Sequence, residues 1–252
     1  MVLATVGEYD EGVRRFSDRS EAGRQLGVRL SSDFEQDAPI VLGLPRGGVV
    51  VAYEVARVLR SPLDFIVVRK IGVPSQRELA MGALAEGDVV VKESEVCDGL
   101  RVSEEQFQRA VARELLELER RSERLRQRAP AFDLTGQSVL IIDDGVATGA
   151  TARAAIASAR SRRAAWVGFA TPVASAASAR ELARIADLFV ALELMRGPFS
   201  VGSRYERFAQ VSDREVDGYL ARSRRASSSA FGASSPVEPS KRHPSIFHRR
   251  SP

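Results

Sequence analysis

The stretch 138–151, SVLIIDDGVATGAT, limits what this chain can fold into more than any other part of it. Four consecutive apolar residues, Val139, Leu140, Ile141 and Ile142, form a run too short for a buried helix and β-branched enough for a strand covered on both faces. Two carboxylates follow, Asp143 and Asp144, then a turn of small residues, Gly145, Val146, Ala147, Thr148 and Gly149. From Ala150 and Thr151 onward the pattern is alanine-rich and helical. A strand delivering two acids to its carboxyl end, a tight loop and a helix N-terminus make the layout of an anion site in an open α/β sheet. Backbone N–H groups of the loop can cradle a phosphate, and the Thr148 and Thr151 hydroxyls can add hydrogen bonds. The acids would repel that phosphate, so they need an electron-poor partner: sugar hydroxyls, a divalent cation, or both.

A second unit of the same shape comes earlier. Residues 40–44, IVLGL, read as a buried strand, followed by Pro45, Arg46, Gly47 and Gly48 and a helix over about 49–60. Its loop carries an arginine and no acid. Ser61-Pro62 ends that helix, 63–68 is the next strand, and it runs into Arg69 and Lys70. The glycine, proline and polar residues of 71–78, IGVPSQRE, predict a mobile loop, with short strands at 79–84 and 89–92. Ser103 with Gln106 forms a capping box for a helix to about 127, whose mixed charges describe a solvated outer face better than a nucleic-acid stripe. Helices at 16–30, capped by Asp18 or Ser20, 151–163 and 174–185, strands at 166–170 and 188–192, and a short helix ending near 220 complete the pattern. Residues 1–12 carry little signal. Alternating strands and helices with short connections predict an α/β fold: a mainly parallel, doubly wound sheet with helices on both faces.

Charge and histidine are distributed unevenly. Both histidines, His243 and His248, lie near the end, which removes Ser-His, Cys-His and His-metal chemistry from residues 1–220. The single cysteine, Cys97, excludes an internal disulfide and a cysteine-rich zinc site. From 221 to 252 seven basic residues face one acid, so this end carries +6 and residues 1–220 carry −2 of the overall +4. The basic character therefore belongs to a Ser/Pro-rich segment, and nucleic acid is not an expected partner except through it. The expected division is a folded unit at 1–221 and a disordered tail at 222–252. Without a run of membrane-span length or a secretory pattern, the chain reads as cytoplasmic and not membrane-bound.

The loop after Asp144 lacks the Gly-Lys-Ser/Thr ending of a triphosphate P-loop and is not G-x-G-x-x-G. Four apolar residues and then Asp-Asp-Gly-x-Ala-Thr-Gly-x-Thr resemble the 5-phosphoribosyl-1-pyrophosphate (PRPP) motif of type I phosphoribosyltransferases. The likeness extends to 44–48, LPRGG, which stands where that family has its pyrophosphate loop, often with a non-proline cis peptide. It extends also to 67–74, VVRKIGVP, and 79–87, LAMGALAEG, worded most like bacterial predicted phosphoribosyltransferases, and covers about 15–195.

The resemblance implies a phosphoribosyltransferase that moves 5-phosphoribosyl from PRPP to a small nitrogenous acceptor and releases pyrophosphate, with Mg2+ as cofactor and a homodimer as the expected assembly. Residues 145–151 (Gly145, Val146, Ala147, Thr148, Gly149, Ala150, Thr151) would hold the 5′-phosphate, and Pro45, Arg46, Gly47 and Gly48 the pyrophosphate. Asp143 and Asp144 would bind the ribose hydroxyls, and Arg69 and Lys70 would help neutralise the leaving group. Mg2+ would be held mainly by PRPP, with no dedicated protein ligands and at most water-mediated contact to Asp143 and Asp144. The hypoxanthine–guanine branch places an acidic general base where this chain has Ala147, which implies a different acceptor. The acceptor hood would comprise 10–35 and 195–210, where Phe199, Tyr205 and Phe208 could stack on a base or serve as core. A non-catalytic PRPP or nucleotide sensor and a phosphoribosyl or nucleotide hydrolase would use the same donor loops, so the sequence leaves them as alternatives.

Overall fold

A computed structural model describes residues 2–5, 15–35, 37–127 and 131–230. Six parallel strands form its central sheet: β1 (Val2–Thr5), β2 (Ile40–Gly43), β3 (Leu63–Phe65), β7 (Ser138–Ile142), β8 (Trp166–Ser175) and β9 (Leu188–Met195), in the order β1-β9-β8-β7-β2-β3. Side chains alternate across this sheet. Val41, Leu140 and Ile142 enter one core, while Leu42, Val139 and Ile141 enter the other. Both faces are thus apolar, which is why the strands read as continuous hydrophobic runs rather than as alternation.

The helices divide accordingly. On the first face pack α1 (Arg19–Leu30) and α2 (Gly47–Leu59), through Leu26, Leu30, Val51 and Val55. The other face is covered by α5 (Ala150–Ser161) and α6 (Ala176–Ile185), through Ala155, Ile156, Ala159 and Leu182. The alanine richness of α5 lets it lie close to the sheet. Helix α1 starts at the expected cap, Asp18 accepting from the Glu21 N–H at 2.9 Å.

Residues 71–78 are not a free loop. Strand β4 (Val68–Val73) turns through Pro74 and Ser75 into β5 (Gln76–Ala85), which pairs antiparallel with β6 (Val89–Lys92). Glycine and proline were misleading because they serve a two-residue turn and a register shift at Gly72, while Ile71, Val73 and Met81 are fully buried. The strand expected over 63–68 is likewise split, leaving the parallel sheet after Phe65 and restarting at Val68 in the small one. A short helix, α3 (Ser94–Gly99), leads to α4 (Glu104–Arg126), which has the expected Ser103–Gln106 capping box and buries Phe107, Leu118 and Leu125.

The last helix, α7 (Asp213–Ala230), runs past the boundary expected at 221/222. Arg222 supplies the reason: its guanidinium lies 4.4 Å from the Tyr219 ring and 5.3 Å from that of Tyr53, so a basic residue assigned to the tail packs on the fold. Residues 231–252, the remainder of the expected tail, lie outside the described residues, as do 10–14 of the expected hood. No helix among the described residues is long and apolar enough to cross a membrane.

Candidate active site

From β2 the chain moves outward to β3, whereas β7 lies on the other side of β2 and leads to β8 and β9. The order therefore reverses between β2 and β7, and the crevice at their carboxyl ends is the place where an open α/β sheet takes its ligands. Both small-residue loops open there. The Leu44 N–H donates to the Ile142 carbonyl at 2.9 Å, so the loops leave the sheet side by side. The peptide Pro45–Arg46 is cis, as the family resemblance anticipates, and α2 begins at Gly47.

The two glycines let that backbone press against the acids. A Cβ on Gly47 would lie 1.9 Å from Asp144 Oδ2, and one on Gly48 would lie 2.8 Å from the Ile142 carbonyl and 3.0 Å from Asp143 Oδ1. Asp143 Oδ1 accepts from the Asp144 N–H at 2.9 Å. Packing around the Asp143 carboxyl, and next the charge of Asp144, hold its pKa well above the ordinary carboxylate range. Asp144 Oδ2 accepts from Arg19 Nε at 2.7 Å, with both side chains largely buried. The pair of acids is thus unsymmetrical, one in surroundings that disfavour its charge and the other facing a guanidinium.

Beyond the acids the loop is fastened at Val146, at Ala147 and at Thr148, whose carbonyl accepts from Arg153 Nη1 at 3.4 Å. Val146 bridges to the end of β8: its N–H donates to the Val173 carbonyl and its carbonyl accepts from the Ser175 N–H, both at 2.8 Å. Ser178 Oγ holds the Ala147 carbonyl at 2.9 Å, while Ala147 and Thr148 are exposed. Gly149, at φ +79°, caps α5 in a left-handed conformation that suits glycine. The Arg153 N–H reaches the Gly149 carbonyl at 2.9 Å, so the amides of Ala150, Thr151 and Ala152 lie in the first turn, where a helix offers them no carbonyl. No acid occupies that turn. First-turn amides, the helix dipole and two threonines make the layout of an anion cradle, with the guanidinium of Arg153, paired to Glu93 and Glu181, at the Thr148 carbonyl.

A family model described as a phosphoribosyl transferase domain matches residues 21–193, a span that contains both loops and both acids. The chain belongs to the phosphoribosyl transferase family. Two curated Mycobacterium tuberculosis proteins, named "Putative phosphoribosyl transferase Rv0571c" (strain H37Rv) and "Putative phosphoribosyl transferase MT0597" (strain CDC 1551), are each 42% identical to it over 227 residues. That alignment takes in 90% of this chain and 51% of theirs, so the chain spans about half the length of these relatives. Among solved structures, TT1426 from Thermus thermophilus is 39% identical with a TM-score of 0.70, covering 82% of this chain and 98% of that one.

Next to the phosphoribosyl transferase loops stands a group that the sequence did not single out. Arg19 Nη1 also donates to the Ala209 carbonyl at 2.8 Å, and its guanidinium lies 3.7 Å from the Phe208 ring. Tyr205 donates its hydroxyl to the Asp144 carbonyl at 2.5 Å and is almost fully buried. Burial, and then the charge of Asp144, raise the phenol's pKa, which keeps it a donor. Tyr205 is therefore core and support, whereas Phe208 is exposed and Phe199 half-buried. In the sequence Arg19 looks like any arginine in the first turn of a surface helix. Only the pairing of 16 with 205 (Phe16 N–H to the Arg204 carbonyl, 2.9 Å) brings it to Asp144.

Arg46 is exposed at the loop. Arg69 and Lys70 sit on β4 and not on a free loop; Arg69 Nη2 donates to Glu114 Oε2 on α4 at 2.7 Å, and Lys70 is exposed. Among the described residues no cluster of three or more His, Cys, Asp or Glu could hold a metal ion. Asp143 and Asp144 carry the carboxylate oxygens that a hard divalent cation such as Mg2+ takes, directly or through water.

Proposed function

We propose that this phosphoribosyl transferase family member moves 5-phosphoribosyl from PRPP to a small nitrogenous acceptor and releases pyrophosphate. The observation that carries this reading is the meeting, at one switch point, of an amide cradle and two carboxylates across which a glycine–glycine backbone is pressed. PRPP has a phosphate, vicinal hydroxyls and a diphosphate in that order, and the crevice offers amides, acids and Arg46 in a matching order.

In this reading the amides of 147–152 and the hydroxyls of Thr148 and Thr151 hold the 5′-phosphate. Asp143 and Asp144 take the two ribose hydroxyls. Carboxylate oxygens accept from such hydroxyls, and the surroundings that raise the Asp143 pKa favour a hydroxyl partner over a second anion. The bond from ribose C1 to the diphosphate oxygen breaks, a bond from C1 to the acceptor nitrogen forms, and the diphosphate leaves with the electron pair. Arg46, the amides of Gly47 and Gly48, Arg69 and Lys70 neutralise the charge that collects on the leaving group. Mg2+, reached through water by Asp143 and Asp144 when bound, would supply further neutralisation there. Positioning and electrostatics suffice for such a step, which fits a site without histidine. Ala147 cannot take the acceptor's proton, and Tyr205 is committed to the Asp144 carbonyl, so the acceptor must lose its proton readily or find its base in the hood.

Calorimetric titration of the full chain with PRPP and Mg2+, wild type against Asp143→Asn/Asp144→Asn, tests the donor site. A large loss of affinity in the variant is expected, and undiminished binding refutes the assignment. Pyrophosphate release across a panel of bases then identifies the acceptor. Release without any acceptor would make the protein a hydrolase, and tight binding without release under any condition would make it a sensor.

A further inference from the structure

Helix α4 carries a guanidinium, that of Arg121, with two nitrogens buried without a hydrogen bond and within electrostatic range of Arg46. Among the described residues five buried side-chain nitrogen or oxygen atoms lack a hydrogen-bond partner, and three belong to one pair: Arg121 Nε, Arg121 Nη2 and Asp213 Oδ1. The pair stands 3.7 Å apart, beyond hydrogen-bond reach. Asp213 instead receives Arg124 at its other oxygen. A buried donor without an acceptor is costly, more so when charged, and such a group in a folded protein calls for an explanation.

Its neighbours supply one. Seven residues before Arg121 on the same face of α4 is Glu114, which holds Arg69. Asp213, on the other side, is four residues beyond Ala209, whose carbonyl is bound by Arg19 of the Asp144 pair. Arg121 thus lies between the strand bearing Arg69 and the wall of the ribose site. Burial lowers its pKa, Asp213 opposes the shift, and the like charges of Arg46, Arg69 and Arg124 add to it, so all three lie within electrostatic range. Four guanidinium groups, those of Arg69, Arg113, Arg121 and Arg124, face two carboxylates, Glu114 and Asp213, which leaves a surplus of positive charge around Arg121.

We propose that Arg121, from the middle of α4, binds the diphosphate end of the donor and the released pyrophosphate, completing with Arg46 and Arg69 a guanidinium pocket opposite the amide cradle. The inference rests on the reading of the crevice as a PRPP site. A diphosphate carries several acceptor oxygens in a geometry that the planar guanidinium fork matches, and it supplies the hydrogen bonds that Nε and Nη2 lack. The first-turn amides of α5 take the other end of the ligand, which separates the two subsites experimentally.

The test is calorimetry on the full chain with inorganic pyrophosphate and, separately, ribose 5-phosphate, at fixed Mg2+, for wild type, Arg121→Met and Arg121→Lys. Wild type is expected to bind both. Arg121→Met should weaken pyrophosphate by about ten- to a hundredfold and leave ribose 5-phosphate unchanged, with Arg121→Lys between. Without ligand, Arg121→Met should melt no lower than wild type, because two of the nitrogens it removes are buried without a hydrogen bond and Asp213 keeps Arg124. If wild type binds both ligands and Arg121→Met binds pyrophosphate as well as wild type does, this inference fails and the donor-site reading stands. Equal weakening of both ligands together with a lower melting temperature would make Arg121 structural and also overturn it. If wild type binds neither ligand, the donor-site reading fails and this inference falls with it.

Discussion

The closest approach in the site, that of Gly47 to Asp144, yields the sharpest prediction. Alanine at 47 has an ordinary φ available, so its effect comes from space alone. Its Cβ would stand 1.9 Å from Asp144 Oδ2 and 2.8 Å from Arg19 Nε, where contacts below 3.0 Å are essentially never seen. The carboxylate must withdraw by about an ångström, and its 2.7 Å bond to Arg19 is lost or badly bent. A charge-assisted bond between two largely buried groups is worth about 1.5–3 kcal/mol. Alanine in place of glycine in the first turn of α2 returns about 0.5–1 kcal/mol. Gly47→Ala should therefore destabilise by about 1–2 kcal/mol, read as a lower urea midpoint with unchanged slope. The decisive assay is a double-mutant cycle with Asp144→Ala, in which the obstructing oxygens are gone. There Gly47→Ala should be neutral or stabilising, giving a coupling of about 1 kcal/mol or more. An equal loss in both backgrounds would refute the argument, because the carboxylate would then not be what the new methyl group meets.

Two further changes test the electrostatics around that contact. Asp143→Asn keeps the shape of a side chain whose raised pKa means that the folded state holds a proton which the unfolded chain releases above about pH 4; wild type therefore loses stability as pH rises from there toward the raised value. The variant escapes this loss, so its advantage in urea unfolding should grow from pH 4 toward neutrality, and a pH-independent difference would refute the sign. Tyr205→Phe removes the hydroxyl that binds the Asp144 carbonyl in an almost dry setting and should cost about 1–2 kcal/mol, measured by the same unfolding assay; a loss below about 0.5 kcal/mol would deny that bond a role in holding the loop.

What could be read from the sequence follows the range of the forces involved. The strands at 40–44 and 138–142 and the loops they feed were legible because burial on both faces leaves an unbroken apolar run and a tight turn demands small residues. The cap of α4 was legible because its partners are three residues apart. The strands at 79–84 and 89–92 were legible too, but the β4–β5 turn was not, since 71–78 has the composition of a loop and only contacts such as Ile71 in the core that holds Met81 and Phe107 make it sheet. The same limit hid Arg19 and Arg121. Each lies on a helix where an arginine is ordinary, and each acquires its meaning from a residue more than ninety positions away, Asp144 and Asp213 respectively.

These two arginines differ in a way that bears on what the crevice is for. Arg19 is satisfied at Asp144 and Ala209, with Phe208 against its face, and it braces an acid that would otherwise stand beside a second acid without a counter-ion. Arg121 has burial without hydrogen bonds at two of its nitrogens. Asp143, on the other side of the loops, is held in surroundings that disfavour its charge. A fold selected for stability alone would have replaced such groups with apolar residues of similar volume, which is often neutral or stabilising. Their location around a single switch point places the unfavourable terms where a ligand would relieve them: a diphosphate for the guanidinium, hydroxyls for the acid. Arg121→Met and Asp143→Asn should therefore each leave the free protein at least as stable as wild type near neutral pH while weakening the donor. That joint outcome, gain or parity in stability with loss in binding, is the one that separates a ligand site from a structural knot of charges.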